Sequence, residues 1–357
     1  MSFTDEQRTR FKVYALRLLL LVSVTLILTL LLASCASPRH AEQALTPPDP
    51  YTRIERPDSN TLQLQIAVRK FLPAHRREPA VWLVGACHVG EPGYYQSLQD
   101  QLDAQTLVLY EGVNAEAHSR RVRGHPGAGS APAAPSHTNH PPLSPSLQST
   151  MASSLGLVFQ LDAIDYDRTN FLNSDLSLQQ IQQLIYGAGP SANPSTNNTG
   201  NSSFQYLMQA MDGSSLLGSL MRIGMQFVGS DSHLQAITRL IFIEALGRLK
   251  GDLASVHGMP PDMQQLLKVL IEARNQTVIE DLKSESRHLP PAATVAIFYG
   301  TGHMDDLERR LTSQLHYRPA GEVWFTAFSV DIRQTGLSGG EVQMVQNLVK
   351  WQMDQLQ

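Results

Sequence analysis

Two histidines stand in the same short pattern at distant points of the chain. Gly85-Ala86-Cys87-His88 follows one short apolar segment, and Gly300-Thr301-Gly302-His303 follows another. Each segment has the character of a buried strand, and a helical pattern comes after each motif. The carboxyl ends of parallel strands form one edge of a sheet, and glycine leaves room for the backbone to turn there. The repeated pattern predicts that His88 and His303 meet at one site, with Gly85 and Gly300 as turn glycines.

A carboxylate follows a third apolar segment. Leu107-Val108-Leu109-Tyr110 leads into Glu111, which should lie at the same edge of the sheet. Two imidazoles and one carboxylate can bind a divalent metal, which lowers the pKa of bound water and polarises a carbonyl group. We therefore predict His88, Glu111 and His303 as metal ligands, with Glu111 also catalytic. Without a metal, the same groups could act as general acid and base.

Further polar residues occur on two other segments. A helical pattern carries Arg274 and Asn275, and a guanidinium can pair with a carboxylate or steady an oxyanion. We predict Arg274 as catalytic and Asn275 as substrate-binding. Tyr166 and Arg168 are also predicted to contact substrate, although an internally paired loop before a helix capped by Ser177 fits their segment equally well. Cys87 beside His88 suggests a thiol nucleophile, but adjacent side chains on extended backbone point to opposite faces, so the two do not pair directly. We therefore predict that Cys87 is a buried small residue.

Taken in order, these blocks resemble the TraB/PrgY/GumN and TIKI family from about Val81 to Asp306. For TIKI-like members the resemblance implies a metal-dependent peptidase that uses the two Gly-x-x-His motifs. For PrgY-like members it implies a membrane-associated protein that blocks or degrades a signal peptide. The resemblance also implies that His88 and His303 are metal ligands, that Glu111 is a ligand or base, and that Arg274 and Asn275 bind substrate or support the ligands. The chain departs from the family at Cys87, where a small residue or Thr is common, and at Gly112, where Leu or Leu-Asp often follows the Glu.

The elements that must position these residues alternate between strands and helices. Apolar segments at 80–84, 106–110, 293–299 and 323–332 have the character of strands, and helical patterns lie between them. This alternation predicts an α/β fold with a mainly parallel sheet and helices on both faces. Helical periodicity over 204–287 predicts a helical insertion or lid on that sheet.

The N-terminus has the features of an export signal. Four basic residues, the last of them Arg17, precede the uncharged apolar run Leu18–Ala33. Leu32-Ala33-Ser34-Cys35 resembles the lipobox of bacterial lipoproteins, in which the cysteine is acylated and the chain is cut before it. We predict a lipoprotein signal peptide over 1–35 with lipidation at Cys35, and the alternative is an uncleaved membrane anchor. Either version places the remainder outside the cytoplasm, and Ala36 favours the outer membrane if the host has two.

Composition divides the rest of the chain. Residues 36–59 are rich in Pro and polar residues, which predicts a flexible tether. A domain is predicted over 60–335, with a disordered insert at 124–149 where Pro, Ser, Gly and Ala dominate. Residues 336–357 are predicted to form an amphipathic helix that docks on its own domain.

Charge and motifs together limit the functions. The 357 residues carry a formal net charge of -4 without a dense Lys/Arg stripe, so we expect no nucleic-acid partner. The first hypothesis is a membrane-tethered metal-dependent hydrolase that acts on a peptide or amide. The alternative is a protein that binds or sequesters a peptide, haem or another small ligand. A third is metal-free esterase chemistry with His88 as base, through a distant similarity to erythromycin esterases.

Overall fold

The structure, a computed structural model, describes residues 48–74, 77–112, 147–186, 224–248 and 269–356. The predicted signal peptide or anchor at 1–35 and residues 124–146 of the predicted insert lie outside these ranges. The prediction of disorder is wrong for residues 147–149, because they begin the helix Leu147–Ser154. Among the described residues, no helix is both long enough and apolar enough to span a membrane. Export and lipidation at Cys35 therefore stay predictions.

A mixed sheet forms the centre of the molecule. Its strands run in the order β1-β2-β3-β8-β5-β7, and β9 pairs with the other edge of β2. The pairs β3–β8, β8–β5 and β5–β7 are parallel, whereas β2 is antiparallel to its three neighbours. A separate two-stranded ladder joins β4 to β6. The strands are β1 (Thr52–Glu55), β2 (Thr61–Leu72), β3 (Ala80–Ala86), β4 (Val89–Gly90), β5 (Leu107–Tyr110), β6 (Val158–Phe159), β7 (Phe171–Asn173), β8 (Thr294–Gly300) and β9 (Arg318–Asp331).

Helices cover both faces of this sheet. They are α1 (Pro92–Asp103), α2 (Leu147–Ser154), α3 (Gln160–Ala163), α4 (Leu178–Tyr186), α5 (Ser232–Leu246), α6 (Arg274–Ser286), α7 (Met304–Ser313), α8 (Ile332–Thr335) and α9 (Gly339–Leu356). One apolar core joins α1, α5 and α9 to one face, and a second joins α6 and α7 to the other. Strands β3 and β8 are apolar almost throughout because both of their faces are covered. The predicted α/β class, with helices on both faces, is confirmed.

The N-terminal boundary of the domain differs from the prediction. Strand β1 lies inside the segment 36–59 that was predicted to be a tether, so that prediction is wrong for residues 51–59. The ring of Tyr51 is buried, and its hydroxyl donates to Glu308 at 2.6 Å. Arg69 donates to the carbonyl oxygens of Asp49 and Pro50 at 2.7 and 3.0 Å. These contacts fix backbone that composition alone describes as polar and irregular.

The C-terminal helix α9 lies against α5 in the described domain. Its buried side chains Val342, Val345, Val349 and Met353 belong to the same apolar core as those of α5. Gln346 also donates to the buried carboxylate of Glu244 at 2.7 Å. The apolar face seen in the sequence therefore packs within the chain.

Candidate functional site

The two Gly-x-x-His motifs and Glu111 meet at the carboxyl edge of the parallel strands. Strand β8 lies between β3 and β5, with Ala86 opposite Gly300 and Tyr110 opposite Phe298. The amide of Glu111 extends this register by donating to the carbonyl of Phe298 at 3.0 Å. The residues that follow the three strands therefore come together although the first and the last of them, His88 and His303, are 215 positions apart in sequence.

Gly300 marks the point on which the predicted ligands converge. A methyl group built on Gly300 would lie 3.4 Å from Glu111 Oε2, 3.9 Å from His88 Nε2 and 4.0 Å from His303 Cδ2. Gly300 has φ -53° and ψ 145°, which any residue can adopt. The motif needs glycine here because a side chain would project among the three polar groups.

Glu111 is held through both of its carboxylate oxygens. Oε1 accepts a hydrogen bond from Arg274 Nη2 at 2.7 Å, and Oε2 accepts one from the amide of Gly300 at 2.7 Å. Burial by itself would raise the pKa of Glu111, but Arg274, the two histidines and the Gly300 amide outweigh it and hold the pKa well below its usual range. Glu111 is therefore a carboxylate at neutral pH.

Arg274 is itself fixed by a second acid, Asp175. Nε and Nη2 of Arg274 donate to the two carboxylate oxygens of Asp175 at 2.8 and 2.6 Å, a bidentate pair in the interior. Burial opposes the charge on Arg274, but Glu111 and Asp175 outweigh this effect and raise its pKa. Arg274 begins helix α6 directly after a π-helical turn, Val269–Ala273, of the kind that often occurs at functional sites.

Sequence reasoning did not single out Asp175. It follows β7, whose three residues are too short a segment to predict as a strand, and it also accepts from the amide of Gly112 at 3.0 Å. The second acid near Glu111 thus follows the neighbouring strand β7 instead of following Glu111 in the sequence. The one sequence signal for Asp175 is that it belongs to a polar segment and follows a few apolar residues, as Glu111 follows its own strand.

His303 is nearly fully buried, and Asn275 orients it. Nδ1 of His303 lies 2.7 Å from Asn275 Oδ1, and the ring of Tyr299 packs edge-on against the imidazole. Burial is the main cause that lowers the pKa of His303 to about 4, so the ring is uncharged at neutral pH. Its Nε2 lies 3.8 Å from Glu111 Oε1. Asn275 is also buried and lies behind His303, which agrees with the predicted supporting role and not with the predicted contact to substrate.

The other predicted residues lie at different distances from this cluster. Tyr166 is half-buried beside Tyr110 and Phe298, and its hydroxyl accepts from Gln160 at 2.9 Å. Arg168 is exposed and pairs with Asp103 and Asp165, which agrees with the alternative of an internally paired loop. The substrate-binding roles of Tyr166 and Arg168 stay predictions.

Cys87 precedes His88 in the chain, and two tyrosine hydroxyls hold its backbone. Its backbone amide and carbonyl bond to the hydroxyls of Tyr94 and Tyr95, at 3.2 and 2.8 Å. Burial raises the pKa of the Cys87 thiol to about 11. At neutral pH the side chain is therefore a thiol, the unreactive form.

The chemistry of the donor set fits a divalent metal. A metal binds carboxylates and uncharged imidazoles, and Glu111 and His303 are in these forms at neutral pH. Within the described ranges, no three or more His, Cys, Asp and Glu side chains form a ready-made metal cluster. The side chains are thus of the kind that binds a metal. The oxygen of Glu111 nearest His303, Oε1, also accepts a hydrogen bond from Arg274.

Similarity to known proteins adds nothing to this geometry. No protein-family model matches the chain, and neither the curated proteins nor the solved structures include a match.

Proposed function

We propose that this protein is a TraB/TIKI-like hydrolase that cleaves a peptide or another amide outside the cytoplasm and depends on a divalent metal. His88, His303 and Glu111 would hold the metal, which when bound would lower the pKa of a water and polarise the scissile carbonyl. The convergence of these three side chains on Gly300 is the observation that supports the proposal. Lipidation at Cys35 would tether the enzyme to a membrane, with the outer membrane favoured in a host that has two.

The residues around the ligands have separate tasks in this proposal. Arg274 keeps Glu111 ionised and oriented, and Asp175 balances and fixes the guanidinium. Asn275 orients the buried imidazole of His303. His88 is the more exposed of the two histidines, so we infer that substrate approaches from its side.

The decisive experiment is elemental analysis of the full-length chain, purified in detergent without an affinity His tag. We expect about one equivalent of divalent metal in the wild type and its loss in the His88→Ala/His303→Ala double variant. His233→Ala is the matched control, because His233 pairs with Glu341 away from the site. Equal metal content in the double variant and this control would reject the proposed ligands.

Activity is tested separately on a pool of fluorogenic peptides. Hydrolysis should disappear after chelation, return on addition of a divalent metal, and be absent from the double variant. Hydrolysis that resists chelation would reject the metal while leaving the site intact.

One observation favours a second candidate, a protein that binds or sequesters a small ligand without chemistry. Both oxygens of Glu111 already have donors, so the cluster is balanced as it stands. This candidate predicts that ligand retention survives Glu111→Gln, whereas a hydrolase should lose its turnover. Binding of unmodified peptides by both wild type and Glu111→Gln, without products, would favour it.

A further inference from the structure

A chain of hydrogen bonds runs behind His303, on the side away from Glu111. Asn275 Nδ2 donates to the backbone carbonyl of His303 at 3.2 Å and to Asp306 Oδ2 at 2.9 Å. Asp306 also accepts from Arg310 Nε at 2.6 Å and from Arg309 Nη2 at 3.0 Å. Asn275 and Asp306 are both largely buried, so these bonds form in an environment that penalises unpaired polar groups.

These contacts determine which way the amide of Asn275 faces. A backbone carbonyl and a carboxylate both accept hydrogen bonds, so the nitrogen of the amide must point towards them. The amide oxygen is then left to face His303 Nδ1, at 2.7 Å. Because this oxygen only accepts, Nδ1 must carry the proton. In an uncharged imidazole the lone pair then belongs to Nε2, which lies 3.8 Å from Glu111 Oε1.

We propose that Asn275, held by Asp306, is a positioning residue that fixes His303 in the Nδ1–H tautomer and turns the Nε2 lone pair into the site. The proposal deepens the proposed function, because this tautomer makes His303 a ligand or base and prevents it from donating a proton to Glu111. Two electron-rich atoms, Nε2 of His303 and Oε1 of Glu111, then lie 3.8 Å apart, and Oε1 also accepts from Arg274 Nη2 at 2.7 Å. The tautomer itself can be measured whether or not the protein is a hydrolase.

The test is nitrogen NMR of the full-length chain, labelled with ¹⁵N-histidine, in detergent with chelator at pH 8. The His303 signals are assigned by comparison with His303→Gln. We expect Nδ1 of His303 to be protonated and Nε2 to be unprotonated. His233 is an internal reference for the other tautomer. Its Nε2 lies 2.9 Å from the carboxylate of Glu341, which only accepts, so the proton is expected on Nε2.

Two substitutions identify Asn275 as the cause. Asn275→Leu removes the acceptor at similar size, so the His303 ring should lose its single tautomer and give a mixture or the Nε2–H form. Asn275→Asp retains an oxygen that can accept from Nδ1, so the Nδ1–H form should persist. Circular dichroism and the thermal midpoint report whether each variant is folded.

Several outcomes would overturn the inference. An Nε2–H tautomer in the wild type would do so without any variant, even if Asn275→Leu does not fold. An unchanged His303 spectrum in folded Asn275→Leu would show that Asn275 does not select the tautomer, and loss of the Nδ1–H form in folded Asn275→Asp would reject the role of the acceptor oxygen. Loss of metal binding and hydrolysis with the expected tautomer present would instead reject the proposed function and leave the role of Asn275 standing.

Discussion

Gly85 and Gly300 hold equivalent positions in the two Gly-x-x-His motifs but have different neighbours. A methyl group on Gly85 would lie 3.1 Å from Ile66 Cγ2, 3.1 Å from Thr301 Cγ2 and 3.3 Å from the carbonyl oxygen of Ala67. The nearest atoms to a methyl group on Gly300 belong to the polar site, at 3.4 Å or more. The first glycine is thus required by packing, and the second by the site.

This difference predicts opposite effects of the same substitution. Gly85→Ala should lower the free energy of unfolding by about 1–3 kcal/mol, the usual range for overpacking a core. Gly300→Ala should leave stability unchanged or raise it by up to ~1 kcal/mol, since alanine restricts the unfolded chain. The methyl group should nevertheless reduce bound metal and hydrolysis by about tenfold or more. It would displace the three polar side chains slightly, and small displacements in a site are costly. Urea unfolding and metal analysis of both variants provide the check, and full metal content in Gly300→Ala would contradict the proposed centre.

Asp175 supports the site through Arg274, and its removal should be costly. Asp175→Ala leaves the buried guanidinium with Glu111 as its remaining carboxylate partner among the described residues. Breaking one side of a buried ion pair costs about 3–5 kcal/mol in the free energy of unfolding. Urea denaturation of the full-length chain measures this loss.

The matched control for Asp175 is Arg168→Ala, which removes two ion pairs, with Asp103 and Asp165, near the same part of the chain. The side chain of Arg168 is 46% exposed, and such surface pairs contribute about 1 kcal/mol or less. Similar losses in the free energy of unfolding for the two variants would contradict the view that the buried pair of Arg274 and Asp175 stabilises the fold more than a surface pair does.

At the scale of elements, helix α9 is held to the domain by the buried side chains on one of its faces. Val345 is fully buried against the core that α5 shares, whereas its neighbour Met344 is 43% exposed. The two residues are adjacent in the helix, but one side chain is buried and the other is exposed to solvent.

We expect Val345→Asp to destabilise the protein by about 3 kcal/mol or more, because a carboxylate would be buried without a partner. Met344→Asp introduces the same charge and a similar helix propensity, and should cost less than about 1 kcal/mol. Hydrogen exchange of residues 339–356 should accelerate in the first variant alone. Equal exchange in the two would mean that α9 does not depend on its buried face.

The strands show what pattern could and could not predict at this scale. The parallel strands β3, β5 and β8 were located from their apolar runs, since burial on both faces leaves no polar positions. Strand β2 alternates instead, with Leu62, Leu64 and Ile66 buried and the glutamines between them partly exposed. This period of two is present in the sequence and is typical of a strand with one buried face. Strand β1 had no such signal, because its four residues are all partly exposed.

At the scale of the whole molecule, the lipoprotein hypothesis places membrane attachment at Cys35. The chain contains two cysteines, and Cys87 is a free thiol whose backbone is bonded to Tyr94 and Tyr95. Cys87 therefore serves as a control for any modification at Cys35.

Metabolic labelling with a radioactive fatty acid should label the wild type and Cys87→Ser, and Cys35→Ser should carry no label. Processing of the N-terminus should stop in Cys35→Ser as well, which is visible as a chain of higher mass. A labelled Cys35→Ser protein would exclude the lipoprotein hypothesis. An unlabelled wild type that remains in the membrane fraction would favour the uncleaved anchor.

The sequence by itself determined the polar groups of the candidate site and the strands that carry them. Short-range patterns are sufficient for this, because an apolar run followed by glycine and a polar residue specifies the end of a buried strand wherever it lies in the chain. His88, Glu111 and His303 could therefore be named, and their meeting at one edge followed from parallel strand order.

The tertiary structure alone decided what surrounds those groups. Asp175 reaches Arg274 across 99 positions, and Asn275 reaches His303 across 28. Neither contact leaves a periodic trace, because each depends on the direction of one side chain and on the exclusion of water around it. Burial then lowers the pKa of His303, while Arg274 and its neighbours keep Glu111 charged in spite of burial. The sequence supplies the reactive groups, and only their packing fixes which of them carry a charge and which way they face.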